Sequence, residues 1–157
     1  MNKIHQISAE HLSIEQIGEI IKNGTKLELS EDARQRIIRC REYLDNKIKE
    51  SETPIYGVTT GFGSLCKISI DKDSLSQLQK NLVMSHACGV GDRVPNEIVK
   101  IMLLLKIQSL SYGYSACQLK TVERLIDFFN NDIYPIVYMQ GSLGASGAVS
   151  YTHLTLP

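Results

Sequence analysis

The chain has 157 residues, of which 43% are hydrophobic, and its 17 basic side chains balance 17 acidic ones. This composition predicts one globular domain with a sizeable core, and the balanced charge argues against nucleic acid and anionic membranes as partners. The N-terminus lacks the apolar run of a signal peptide, and the most apolar stretch, "IVKIMLLLKIQSL", is too short to span a bilayer. We therefore expect a cytoplasmic protein in which Cys40, Cys66, Cys88 and Cys117 are reduced thiols.

Helical periodicity dominates the chain from residue 13 onward. The first helix is marked by Ser13 as N-cap and by Gln16 three residues later, the spacing of a capping box. Gly113 is typical of a helix C-terminal cap, and Pro135 favours a short strand or loop over 133–140. The predicted helices span 13–24, 30–50, 73–89, 95–113 and 117–131. The predicted class is mainly α, with no internal repeat, linker or second-domain boundary.

A loop rich in glycine and hydroxyl groups, "YGVTTGFG", interrupts the helices from Tyr56 to Gly63. Its glycines permit positive φ or a close approach of backbone, and the phenol of Tyr56 can donate, accept or lose a proton. Taken alone, the loop is more typical of a tight connection between helices with a packed tyrosine. It contains neither of the glycine-rich patterns that bind nucleotide phosphates.

A second loop, "GSLGASG", spans 141–147 and by composition is typical of a flexible hinge. Its tripeptide Ala145-Ser146-Gly147 allows a different interpretation. If the amide nitrogen of Gly147 attacks the carbonyl carbon of Ala145, loss of two water molecules gives an imidazolone with an exocyclic methylene. Serine supplies the hydroxyl that is eliminated, glycine leaves its nitrogen accessible, and the flanking glycines tolerate the strain. The product is an electrophile, which no ordinary side chain provides.

Four stretches, "YGVTTGFG", "LQKNLVMSHACGVG", "LLKIQSLSYGYS" and "YPIVYMQGSLGASG", follow one another in this order. Together they resemble the aromatic amino acid ammonia-lyases, from about Ile4 to Gly147. The resemblance implies the N-terminal part of that family's helical fold, with short strands and loops around the active site. It also implies that Ala145, Ser146 and Gly147 form 4-methylidene-imidazol-5-one autocatalytically, with no metal or soluble cofactor.

The resemblance implies roles for three further residues. Tyr56 matches the family's catalytic base; because a phenol ordinarily has a pKa of about 10, that role requires positive or hydrogen-bond-donating surroundings. Gly63 would let backbone approach the substrate. The pair Ser85-His86 resembles histidine-specific members, whereas members specific for tyrosine or phenylalanine carry His-Leu or Phe-Leu. It favours L-histidine as substrate, with His86 in contact with it, and urocanate and ammonia as products.

The resemblance ends at Gly147. The family continues with Asp-Leu and a long helix, and its carboxylate is associated with ring formation, whereas this chain has Ala148 followed by "VSYTHLTLP". We interpret residues 1–147 as the N-terminal portion of an ammonia-lyase domain and 148–157 as a tail of foreign, artefactual sequence. Family members are homotetramers whose active sites combine residues of neighbouring subunits, so we expect the 157-residue chain alone to be inactive.

Two alternatives remain open from the sequence. Within the family, the chain could belong to a tyrosine or phenylalanine ammonia-lyase or to an aminomutase, which the reaction product would reveal. Outside enzymology, it could be a catalytically inactive helical fragment with only an assembly role. An intact mass would separate this alternative from the first interpretation, because ring formation removes two water molecules.

Overall fold

The computed structural model describes residues 3–51, 53–61, 70, 74–87 and 89–141. Its helices are α1 Ile14–Lys22, α2 Glu31–Glu50, α3 Leu75–His86, α4 Asn96–Ser111 and α5 Leu119–Asn130, and its strands are β1 Ile4–Ile7, β2 Lys26–Leu29, β3 Val90–Arg93 and β4 Tyr138–Gln140. At five positions of α3 only the backbone is described. The mainly α class and all five predicted helices are confirmed. Among the described helices, none combines the length and the apolar character needed to cross a membrane.

The chain divides into two compact units, which differs from the single undivided domain predicted above. One unit comprises 1–45 and 95–134, and the other comprises 46–94 and 135–157. Each unit is built from two separate stretches of chain. The chain passes from one unit to the other at three points. One of them lies inside α2, and at the other two the new stretch begins with a proline, Pro95 or Pro135. A composition shift or polar linker, the usual sign of a domain border, is therefore missing from the sequence at these points.

The first unit begins with a β–α–β arrangement that helical periodicity did not predict. Strands β1 and β2 pair in parallel, with Ile4 opposite Lys26 and Ile7 opposite Leu29, and α1 connects them. Helix α1 starts at the predicted capping box, where Ser13 and Gln16 exchange side-chain and backbone hydrogen bonds in both directions. Each strand is only four residues long, so its alternation of buried and exposed positions is too short to be recognised as a pattern.

The core of the first unit lies where β1, β2, α2, α4 and α5 meet. Its most deeply buried side chains are Ile7, Leu27, Ala33, Ile37, Leu104, Ile107, Val122 and Phe129. Helix α5 buries one apolar face, with positions 122, 126 and 129 at helical spacing. Burial of each large aliphatic or aromatic side chain contributes about 1.5–3 kcal/mol, so this cluster is a major favourable contribution to the stability of the unit.

Polar side chains close the edges of this core. The amide of Asn130, at the end of α5, accepts a hydrogen bond from the backbone N–H of Leu27 and donates one to its carbonyl, both at 2.8 Å. The Asn130 side chain therefore makes the two backbone hydrogen bonds at Leu27 that a neighbouring strand would make. On α4, buried Gln108 and Ser111 donate to the carbonyl of Ser8, which holds the segment between β1 and α1 against the core. An amide or hydroxyl at these positions satisfies backbone groups that are otherwise costly to bury.

One ion pair joins α4 to the residues after α5. Lys100 Nζ lies 2.5 Å from Asp132 Oδ1 and 5.0 Å from the centre of the Phe129 ring. The hydrogen bond from Lys100, followed by one from the Tyr134 hydroxyl, lowers the pKa of Asp132. A carboxyl with a lowered folded-state pKa stabilises the fold above its unfolded pKa of about 3.9. This contribution is lost as the pH falls through the folded-state value, and it is small because Asp132 is largely exposed.

The second unit contains α3 and an antiparallel pair formed by β3 and β4. In this pair Val90 lies opposite Gln140 and Arg93 lies opposite Tyr138. Strand β4 confirms the short strand or loop predicted over 133–140, whereas β3 was not predicted. Its four residues, Val-Gly-Asp-Arg, are all exposed and include a glycine and an aspartate, both of which are uncommon in strands.

Candidate active site

The segment that carries Tyr56 is a tight turn closed by its own hydrogen bonds. The carbonyl of Ile55 accepts from the backbone N–H groups of Val58 and Thr59, at 3.0 and 2.9 Å. The hydroxyl of Thr59 in return accepts from the N–H of Ile55 at 2.8 Å. Gly57 has a φ of +71°, in the left-handed region that glycine adopts without strain. The glycine of the Tyr-Gly motif is therefore required by the turn itself.

The second threonine of the motif fixes the other half of this turn. Thr60 is 1% exposed; its hydroxyl accepts from the N–H of Gly57 at 3.1 Å and donates to the carbonyl of Gly61 at 2.8 Å. With the turn held from both ends, Tyr56 lies 62% exposed. The structure therefore corrects the ordinary interpretation of this loop, because its tyrosine is not packed as a core residue.

Helix α3 ends at His86, the last residue of the predicted substrate-selecting pair. Met84, two residues earlier, is 68% exposed, and Ser85 is also exposed. The side chain of His86 lies outside the part of the chain that is described. Its backbone position is defined, however, and β3 begins only four residues later at Val90.

Strands β3 and β4 link this helix end to the glycine-rich segment. The pairing of Val90 with Gln140 places the last residue of β4 beside the first residue of β3. The chain thus leaves β4 toward 141–147 at the same end of the sheet where it enters from His86. Paired residues of antiparallel strands have Cα atoms about 4.5–5.5 Å apart. The start of β3, four residues after His86, therefore lies beside the end of β4, five residues before Ala145 in the sequence.

The remaining predicted site residues lie outside the described part of the chain. These are Gly63 in the first loop and Ala145, Ser146 and Gly147 in the second. Two of the four cysteines, Cys40 and Cys117, are described, and both are free thiols. Within the described ranges, no three or more histidine, cysteine, aspartate or glutamate side chains are grouped as metal ligands.

Sequence reasoning missed three residues that shape this region: Thr59, Thr60 and Gly91. The two threonines had a local signal, since serine and threonine hydroxyls commonly bond to backbone groups two to four residues away. Gly91 has a φ of +84° within β3, where a glycine inside a strand often marks a bulge. That signal depends on recognising β3 as a strand, which its composition did not allow.

Comparison with known proteins identifies the family. The sequence model described as aromatic amino acid lyase matches residues 12–157. The chain belongs to this family. Most of this chain also aligns with individual proteins of known sequence or structure.

Histidine ammonia-lyase of Deinococcus radiodurans is 47% identical over 146 residues, which cover 92% of this chain and 28% of that protein. The crystal structure of ergothionase from Treponema denticola matches with a TM-score of 0.85 at 26% identity, covering 95% of this chain and 30% of that one. Histidine ammonia-lyase from Trypanosoma cruzi matches with a TM-score of 0.80 at 28% identity, covering 96% and 28%. The chain thus spans less than a third of the length of these relatives.

Proposed function

We propose that this chain contributes the N-terminal portion of a histidine ammonia-lyase, which deaminates L-histidine non-oxidatively to urocanate and ammonia. The observation that carries the proposal is the 47% identity to a histidine ammonia-lyase over 92% of the chain. The Ser85-His86 pair supports the same substrate. A cytoplasmic homotetramer is the proposed setting, with active sites completed by residues from outside this chain.

The proposed prosthetic group is 4-methylidene-imidazol-5-one, made from Ala145, Ser146 and Gly147. These residues have the chemistry the group requires, namely a hydroxyl to eliminate and an unblocked amide nitrogen. The group supplies an electrophile for the amino group of the substrate.

Tyr56 is the proposed base that removes a proton from the β-carbon of the substrate. Two features of the described structure support this role. The Tyr56 residue is 62% exposed in this chain and is not packed into a core. The turn beneath it is held by the two threonine hydroxyls, so that the Tyr56 backbone keeps one position, and general bases depend on such positioning.

His86 is the proposed contact for the imidazole of the substrate, because a histidine can donate or accept a hydrogen bond to a second imidazole. Its place at the C-terminus of α3, four residues before the paired position Val90, supports this role. A leucine at the same place offers no hydrogen bond and suits an apolar ring instead.

A grafted enzyme tests the substrate and the role of His86 together. In it, this chain up to Gly147 replaces the aligned segment of the Deinococcus radiodurans enzyme, which supplies the remaining length. We expect release of urocanate from L-histidine. We expect His86→Leu to lower kcat/KM for L-histidine by about 10- to 100-fold, because the imidazole of the bound substrate loses its hydrogen-bond partner, and an unsatisfied buried polar group costs about 1–3 kcal/mol. Met84→Leu, at an exposed position of the same helix, is the matched control and should leave kcat/KM unchanged.

Product identity decides between this proposal and its rivals. A grafted enzyme that releases coumarate or cinnamate but no urocanate contradicts the substrate assignment. A folded grafted tetramer that converts neither L-histidine nor L-tyrosine nor L-phenylalanine contradicts the enzymatic role of this segment. A His86→Leu variant with unchanged kcat/KM removes His86 from the site without affecting the reaction assignment.

A further inference from the structure

The chain passes between its two units at Pro95 and at Pro135, and in the second unit the residues beside these two points are bonded to each other. At the end of the β3–β4 pair, the N–H of Val94 donates to the carbonyl of Val137 at 2.8 Å. Neither proline has an N–H with which to extend this pairing. The strand pair therefore holds the two stretches together only as far as the prolines.

In the first unit, three side chains join the residues after Pro95 to those before Pro135. The ammonium of Lys100, near the start of α4, lies 2.5 Å from Oδ1 of Asp132, and the Tyr134 hydroxyl donates to the same oxygen at 2.7 Å. Lys100 lies five residues after Pro95, and Tyr134 comes directly before Pro135. We call Lys100, Asp132 and Tyr134 the clasp.

Asp132 occupies a position at the end of α5 that favours glycine. The N–H of Ile133 donates to the carbonyl of Phe128 at 2.9 Å, and the N–H of Asp132 donates to that of Phe129 at 3.4 Å, which is the hydrogen-bond pattern of a Schellman motif. The residue at the place of Asp132 in this motif is left-handed, here with a φ of +55°, and is most often glycine. A carboxylate is also repelled by the negative end of the helix dipole. An aspartate is therefore unfavourable for the helix end itself.

The environment of Lys100 explains why a carboxylate is present at this position. Only 17% of the Lys100 side chain is exposed, and its ammonium lies 5.0 Å from the centre of the Phe129 ring. Burial of an ammonium is unfavourable unless an opposite charge accompanies it. Glycine at position 132 would suit the helix end but would leave Lys100 without this carboxylate. The aspartate therefore serves the clasp rather than the helix cap.

We propose that the clasp is a conformational device that holds the two stretches of chain at Pro95 and Pro135 together, so that its release loosens the end of the β3–β4 pair at Val94 and Val137. Five residues separate Val94 from Lys100, and four separate Asp132 from Val137. Each of these short segments contains a proline, whose φ is fixed, and so has little freedom to absorb a movement at the clasp. The proposal is independent of the proposed function, because it needs neither a substrate nor a prosthetic group.

Hydrogen exchange of the 157-residue chain, followed residue by residue by NMR, tests this proposal. The N–H of Val94 reports opening of the strand end, and the N–H of Ser30, which donates to the carbonyl of Ile7 at 2.9 Å, reports opening elsewhere in the first unit. The main variant is Asp132→Gly, which removes the carboxylate and supplies the residue that the helix end favours. We expect the exchange of Val94 to accelerate about three- to tenfold, the value of one ion pair and one hydrogen bond at a partly exposed site. The exchange of Ser30 should not accelerate.

Lys100→Met is the second variant, since it removes the charge but keeps an unbranched apolar side chain, and it should accelerate the exchange of Val94 by the same factor. Asp132→Asn and Asp127→Asn form a matched pair. The two aspartate side chains are 60% and 59% exposed, but Asp127 pairs with Arg124 of its own helix, at 3.7 Å. Asp132→Asn should accelerate the exchange of Val94 at least about twofold, because neutral hydrogen bonds are weaker than charge-assisted ones. Asp127→Asn should leave it unchanged.

Equal exchange of Val94 in the parent and in Asp132→Gly would show that the clasp does not act on the strand end, and would overturn the proposal. Equal acceleration of Val94 and Ser30 would indicate general destabilisation and would also count against it. A parent chain in which the N–H of Val94 exchanges at the rate of an unstructured peptide would contradict the strand end itself. None of these results concerns the release of urocanate, so the proposed function is tested separately.

Discussion

Replacing Tyr56 with phenylalanine in the grafted enzyme should lower kcat for L-histidine by about 10²- to 10⁴-fold, the usual contribution of a general base. The substitution removes a single oxygen atom and keeps the ring, so the turn made by Ile55, Thr59 and Thr60 should remain intact. The Tyr56 hydroxyl is proposed to act on the β-proton and not to hold the substrate, so KM should change much less than kcat.

Tyr114→Phe is the control for this result. Tyr114 is 87% exposed and lies in a loop of the first unit, so that it offers the same chemical change at a site without a proposed role. It should leave kcat unchanged. A Tyr56→Phe enzyme within about threefold of the parent would show that another group removes the β-proton, since loss of a true base costs at least about 100-fold.

Gly113→Ala should be the most destabilising of the glycine substitutions in the first unit. Gly113 has a φ of +73°, and a Cβ there would lie 2.8 Å from the backbone carbonyl carbon and oxygen of Arg36 and from its Cβ. Backbone of α2 cannot move aside without moving the core that Ile37 helps to form. The left-handed conformation costs alanine about 1–2 kcal/mol, and overpacking adds about 1–3 kcal/mol. We expect the free energy of unfolding to fall by about 2–5 kcal/mol.

Two other glycines separate these contributions in chemical denaturation experiments. Gly24→Ala, with positive φ but open space, should cost only the conformational part, about 1–2 kcal/mol. Gly18→Ala, in the interior of α1 with no described atom within 4 Å, should stabilise by about 0.5–1 kcal/mol. If Gly113→Ala and Gly24→Ala cost the same, the close approach of Gly113 to α2 is wrong.

The helices could be predicted because their signals are local. Ser13 and Gln16 form the capping box that their spacing indicates. At the start of α2, the hydroxyl of Ser30 accepts a hydrogen bond from the N–H of Ala33. Gly113 has the positive φ expected of a C-terminal cap. Each of these features depends on residues within one or two turns of helix, and a single sequence contains all of that information.

The strands and the division into units could not be predicted because they depend on distant partners. Strand β2 is completed by β1 on one side and by the Asn130 side chain, 103 residues away, on the other. An asparagine near a helix end is ordinarily read as a cap or a turn residue. Likewise, Gly91 acquires its meaning only from Gln140 on β4.

In the candidate site, the residues with proposed chemical roles could be predicted from the sequence, whereas the residues that hold the Tyr56 turn in place could not. Tyr56, Ser146 and His86 were singled out by the four motifs and by the family resemblance that those motifs carry together, and their roles stay predictions. The hydroxyls of Thr59 and Thr60 do not stand out, since threonine is common in loops, yet they determine where the turn holds its tyrosine. Residues that hold other residues in place have ordinary side chains, and their role is visible only once the hydrogen bonds are known.

The central claim is that Ala145, Ser146 and Gly147 fuse into one electrophilic ring. The intact mass of the active grafted enzyme tests it most directly, with Ser146→Ala as the variant that lacks the hydroxyl to be eliminated. We predict that each parent chain is lighter than its sequence by two water molecules. Ser146→Ala, which has no hydroxyl to eliminate, should lose at most the one water of ring closure and should show no turnover. An unshifted parent mass in an enzyme that still releases urocanate would contradict the account.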